Sequence, residues 1–144
     1  METDQEYLSS VTLMILGNNL DPDAVSQELD LTPSQSWRKG EYKSFTRSDG
    51  SRKIFNSRHD WCGWKLFIAP MNKEAPLETQ LQYWCEALQD KTNAITRLKA
   101  KEMHCVLRVF ITTDATASIV LPETLQTSIS SLSLEIEHSI NIGD

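Results

Sequence analysis

Two rhythms organise the apolar residues of this chain. Alternation at every second position marks a strand with one face against a core, and spacings of three and four mark a helix. Val11–Leu16 is an apolar run broken only by Thr12 and closed by Gly17, Asn18 and Asn19. It is too short for a typical helix and reads as a buried strand. Asp21 and Pro22 then open a short helix. The Asp21 carboxylate can accept free backbone N–H groups, and Pro22 suits the first helical position because it has no N–H to leave unpaired. Val25 and Leu29 supply the buried stripe, and Pro33 turns the chain back to extended geometry. Pro76 opens the clearest helix, with Leu77, Leu81, Trp84, Cys85 and Leu88 on one face and Gln80, Gln82, Glu86 and Gln89 on the other. A second helical piece over 92–101 turns Ile95 and Leu98 inward.

The strand pattern returns in three places. Trp61–Ala69 sets Trp64, Leu66 and Ile68 against Lys65, Phe67 and Ala69, and is expected to form a hairpin with an edge strand in 52–58. Cys105, Leu107, Val109 and Ile111 alternate with Val106, Arg108 and Phe110 as a central strand. After a short strand at Ile119–Leu121 and a helix from Pro122 to about Ser131, Leu134, Ile136, His138 and Ile140 alternate with polar residues in a half-exposed strand. The order is strand, helix, hairpin, helices, strand, helix, strand. It predicts one α+β domain over residues 1–144, a mainly antiparallel or mixed sheet with helices packed on one face. A split β-α-β core of the ferredoxin-like kind is the simplest topology that fits. Residues 1–9 are expected to form a flexible N-terminal segment.

Composition narrows the class. The chain has 144 residues, 40% hydrophobic and 24% charged, enough to bury one core. No run approaches the 18 or more apolar residues of a membrane span. Glu2, Asp4 and Glu6 stand where a secretory signal needs basic residues, which points to the cytoplasm. Cys62, Cys85 and Cys105 are widely spaced and odd in number, and read as buried hydrophobes in a reducing compartment. The net charge of −6 conceals an asymmetry. Residues 1–30 carry seven acids and no Lys or Arg, whereas 38–58 carry seven bases against Glu41 and Asp49. That segment is +5, which leaves −11 on the rest of the −6 chain.

One stretch goes beyond pattern. Leu31, Pro33 and Ser34, then Trp37, Gly40 and Glu41, followed by Gly63 and Trp64, form a signature of small and aromatic residues. In this the chain resembles an uncharacterised bacterial family, domain of unknown function 4279, from about Val11 to Ile142. The closing strand departs from it, placing His138 and Ser139 where an acidic residue is expected. The resemblance implies a compact single domain, and brings no activity, cofactor or catalytic residue.

Spacing limits the chemistry these residues can carry. His59, Asp60 and Cys62 are the densest group of reactive types, yet strand geometry would send residues 59 and 62 to opposite faces. A metal site from His59, Cys62, His104 and His138 has no short-spaced pair to recommend it. Gly17–Asn19 lies between strand and helix, where an anion could sit, but lacks the lysine and glycine spacing of a phosphate loop, and Asp21 and Asp23 would repel one. No catalytic residue, metal or cofactor is therefore assigned, and an enzyme is not expected. The eccentric segment is 37–64, where cations are interleaved with aromatics; Trp37, Arg38, Lys39, Tyr42, Arg58, Trp61 and Trp64 are its candidate binding residues. The expectation is a protein-binding module, one version being an immunity-type protein whose acidic charge attracts a basic toxin. The alternative is a small-ligand or polyanion site on the same segment, with nucleic acid disfavoured by a pI near 5.0.

Overall fold

Strand β1 (Leu8–Gly17) runs through the middle of the sheet and decides where everything else packs. The computed structural model describes residues 7–47, 49–67, 75–114 and 119–142. In chain order the elements are β1, α1 (Pro22–Leu29), β2 (Gln35–Trp37), β3 (Tyr42–Thr46), β4 (Arg52–Arg58), β5 (Cys62–Phe67), α2 (Leu77–Leu88), α3 (Thr92–Ala100), β6 (His104–Thr113), α4 (Glu123–Ser130) and β7 (Glu135–Ile142). Five strands form one sheet in the order β2-β5-β1-β6-β7, and β3 and β4 form a separate two-stranded hairpin.

The topology follows from the pairings. β1 is antiparallel to both β5 and β6, and β5 is antiparallel to β2. β2 is thus parallel to β1 with β5 between them, and β6 is parallel to β5 with β1 between them. Two interleaved split β-α-β units of this kind are the ferredoxin-like core. The chain then appends α4 and β7, which lies parallel to β6 at the sheet's edge.

Helices α1, α2, α3 and α4 cover one face. Val11, Leu13 and Ile15 of β1, Cys62 and Trp64 of β5, and Cys105, Leu107, Val109 and Ile111 of β6 join the buried residues of the helices in one cluster. Asp21 caps α1 by accepting the N–H of Asp23 at 3.1 Å, with Pro22 at the first helical position. Trp84 of α2 donates its indole N–H to the Val11 carbonyl at 3.2 Å. Trp64 of β5 donates its own to Ser26 Oγ of α1 at 3.0 Å, so both rings are buried with their polar atoms satisfied.

Several expectations are corrected. The 52–58 segment does not pair with the Trp64 strand; it pairs with β3, while β5 pairs with β1 and β2. Alternation reveals which face is apolar but not which strand lies alongside, and the two short strands β2 and β3 are too polar to announce themselves. Ile119–Leu121 is irregular rather than a strand. Leu8 and Ser9, placed in a flexible N-terminal segment, begin β1 and pair with Thr112 and Ile111; residues 1–6 of that segment lie outside the described residues, as do Ile68 and Ala69.

Candidate functional site

The helix-free face of the sheet and the β3–β4 arm share one corner, and register shows how. Opposed residues in a ladder share a face, so Trp37, Gly63, Leu16 and His104 form one row across β2, β5, β1 and β6. Lys65, Met14, Val106 and Glu135 form the next row, and Phe67, Thr12, Arg108 and Glu137 the one after. Met14 and Val106 are buried on this face. Burial, with Arg108 adding to it, holds the Lys65 ammonium below its ordinary pKa. Arg108 Nε lies 2.7 Å from Glu137 Oε1, an ion pair in which the N–H is not aligned for a hydrogen bond.

At the corner, the Trp37 ring lies flat over Gly63. A Cβ on Gly63 would sit 2.0 Å from Trp37 Cζ2, so only glycine admits the ring. His59 stacks on Trp37 with centroids 4.5 Å apart and planes 16° from parallel, and the Lys65 ammonium stands 5.4 Å from the ring centre. Burial and the charge of Lys43 hold the His59 imidazole below its ordinary pKa. The backbone of His59 closes the base of the arm, accepting from Gly40 N at 2.9 Å and donating to Glu41 O at 2.8 Å.

The seven candidate binding residues divide between both faces and the arm. Trp64 is fully buried under α1, on the opposite face from Trp37, so no pocket can be shared by the two tryptophans. Arg38 reaches the start of α1, with Nη2 3.0 Å from Asp21 Oδ1 and 3.6 Å from Asp23 Oδ2. Lys39 donates Nζ to Asn18 Oδ1 at 3.1 Å and its backbone N–H to Cys62 Sγ at 3.3 Å. These contacts hold the corner together. Tyr42 and Arg58 remain exposed on the arm, the guanidinium 4.5 Å above the ring and donating to the phenol oxygen at 3.0 Å. Trp61 stands 59% exposed beside a groove of about 380 Å³ lined by Leu16, Gly17, Asn18, Glu102 and His104.

The arm carries what sequence reasoning missed. Every residue of β4 is exposed, and the strands pack chiefly on each other. Phe45 is 57% and Ile54 64% exposed on opposite faces of the hairpin, and Phe55, on the Phe45 face, lies under the Lys53 ammonium at 5.3 Å. Among the described residues, Arg38 is the one cation of the seven in 38–58 within ion-pair distance of a carboxylate. The signal was present in the sequence, where Lys43, Arg47, Arg52, Lys53 and Arg58 surround Tyr42, Phe45, Ile54 and Phe55, yet of these only Tyr42 and Arg58 stand among the candidate binding residues.

The reactive groups do not converge. Cys62 lies in the apolar cluster on the helix side, while His59 sits on Trp37 on the open side. Among the described residues no three His, Cys, Asp or Glu side chains gather as metal ligands. No helix among them is long and apolar enough to cross a membrane.

No curated protein and no solved structure matches the chain. A family model described as "Domain of unknown function (DUF4279)" matches residues 5–143, so the chain belongs to that family.

Proposed function

We propose that this protein is a non-catalytic interaction module that docks an acidic partner protein through the β3–β4 arm. The observation that carries the proposal is the arm itself. A two-stranded hairpin is marginal in water without a surface to pack on. This one exposes Tyr42, Phe45, Ile54 and Phe55 among cations that have no carboxylate within ion-pair distance among the described residues, and aromatics and arginine are residue types that anchor interfaces. Burying the exposed part of Phe45 alone would contribute about 1–1.5 kcal/mol. The chain as a whole is acidic, but charges further away than about 8 Å are largely screened at physiological salt. At contact range a partner therefore meets the arm, where Lys43, Arg47, Arg52, Lys53 and Arg58 stand against Asp49, rather than the net −6.

The immunity-type version, attraction of a basic toxin by the acidic N-terminal region, draws less support. Asp21 and Asp23 are engaged by Arg38, and Glu28 by Arg97 at 3.0 Å. Free, buried thiols at Cys62, Cys85 and Cys105 support work in a reducing compartment such as the cytoplasm.

The test compares proteins retained from the host by the wild-type chain and by a Phe45→Ser, Ile54→Ser, Lys53→Glu variant. An acidic protein retained only by the wild type, and released progressively by salt, supports the proposal. Identical retention by both chains would overturn it. A complex that dissolves under nuclease would identify the partner as nucleic acid instead.

A further inference from the structure

We infer that β7 is a self-association edge, through which a second copy of this chain adds its own β7 antiparallel to form one continuous sheet. The inference is independent of the arm, which lies beside β2 at the sheet's opposite edge. Among the described residues β7 pairs only with β6, so one side of an eight-residue strand presents its backbone groups for pairing. Natural sheets usually blunt such an edge with charged side chains, lysine above all, or with proline, a bulge or a covering segment; here Glu135 and Glu137 charge only the first half of the strand. Glu135–Ile142 contains no Lys and no Pro, and its ladder with β6 runs without a register shift from Glu135 to Ile142. The apolar face of β7 also runs on past its cover. Ile136 packs against the core, but Ile140 is 64% and Ile142 72% exposed.

The residue order fits a copy of itself. A two-fold axis perpendicular to the sheet keeps each face on its own side, so opposed residues must share parity. With the axis through His138, Ile136 faces Ile140 of the second copy, and Ile142 reaches Leu134 of the second copy. On the other face Glu135 meets Asn141, and Glu137 meets Ser139. Every apolar residue thus finds an apolar one, and every carboxylate a neutral hydrogen-bonding group. Moving the axis to Glu137 would set that carboxylate against its own copy, and moving it to Ile136 would oppose Glu135 and Glu137. The acids in the first half of the strand exclude centres before His138, while a centre at Ser139 would set Ile140 against His138 and one at Ile140 would set Ile142 against His138, which leaves the register centred on His138.

Sedimentation and light scattering of the intact chain across a concentration series would test this. A reversible dimer is expected, with Ile140→Asp raising its dissociation constant at least about ten-fold, since each dimer loses two apolar pairs. Ile140 is mostly exposed in the single chain, so circular dichroism and the melting temperature of the variant should stay close to wild type. In His138→Cys, a short thiol cross-linker should join the two copies through residue 138, because the three native cysteines are buried. A monomer up to the solubility limit, a dimer indifferent to Ile140→Asp, or no cross-link from His138→Cys would each overturn the proposal.

Discussion

Gly63→Ala should destabilise this protein, although the same change in most strands is neutral or helpful. Gly63 is not among the glycines with positive φ, so alanine meets no backbone strain there. Alanine would also reduce the freedom of the unfolded chain, worth about 0.4–1 kcal/mol in favour of folding. Packing reverses the sign. The new methyl would fall 2.0, 2.2 and 2.7 Å from three atoms of the Trp37 ring. The ring cannot slide away cheaply, being only 9% exposed and stacked on His59. Overpacking of this kind costs about 1–3 kcal/mol, and a broken aromatic stack about 0.5–1.5 kcal/mol more. After the unfolded-state gain, the net loss is about 0.5–4 kcal/mol, or roughly 2–13 °C in melting temperature for a domain of this size.

Urea titration followed by far-ultraviolet circular dichroism would measure it, with Gly63→Ala made in both wild-type and Trp37→Ala backgrounds. Without the indole, the three atoms nearest the methyl are gone, and the substitution should be neutral or slightly stabilising. An equal cost in both backgrounds would refute the reasoning, as would a cost below about 0.5 kcal/mol in the wild type.

Two further expectations concern titration and reactivity. The unfolded chain takes up a proton at His59 near 6.5, but the folded chain does so only at lower pH, so stability is full above that value and falls as pH drops through it. His59→Phe, which keeps the stack, should flatten the loss of stability between about pH 7 and 5; an unchanged slope would count against the assignment. Burial pushes the Cys105 thiol up to about 11 and raises that of Cys85. At about pH 8 both should react with an aromatic disulfide reagent only as fast as the chain opens, and rapid labelling of the folded protein would contradict their enclosure.

Sequence conveyed the periodic parts of the fold and lost the pairwise ones. α2 was visible because Leu77, Leu81, Trp84 and Leu88 repeat at the helical spacing, and Asp21–Pro22 because capping is a local act. The neighbours of β5 were hidden, since alternation says that Trp64 and Leu66 face one way without saying that Ile15 lies opposite Trp64. The same limit governed the candidate site. Trp37 and Trp64 look alike as aromatic residues near cations, yet one lies over Gly63 and the other beneath α1. The available clue was Gly63 itself, because a glycine inside an alternating strand marks a close approach by something bulky. Nothing local could show that the arm would stand clear of the sheet, because that depends on where β2 and β5 meet.

The two backbone hydrogen bonds between the 40–41 segment and His59 have a consequence for how such a chain can change over time. They close the sheet's connection at its root, so whatever lies between is held as a finished loop. Lengthening or shortening a loop alters closure entropy only slowly, about 0.6 kcal/mol per doubling. The arm between Glu41 and His59 can accordingly be exchanged, resurfaced or reduced to a tight turn while Trp37, Gly63 and the core keep their places. Related chains would then share a scaffold, and divergence would gather between Glu41 and His59, a stretch whose described residues contribute nothing to the core cluster.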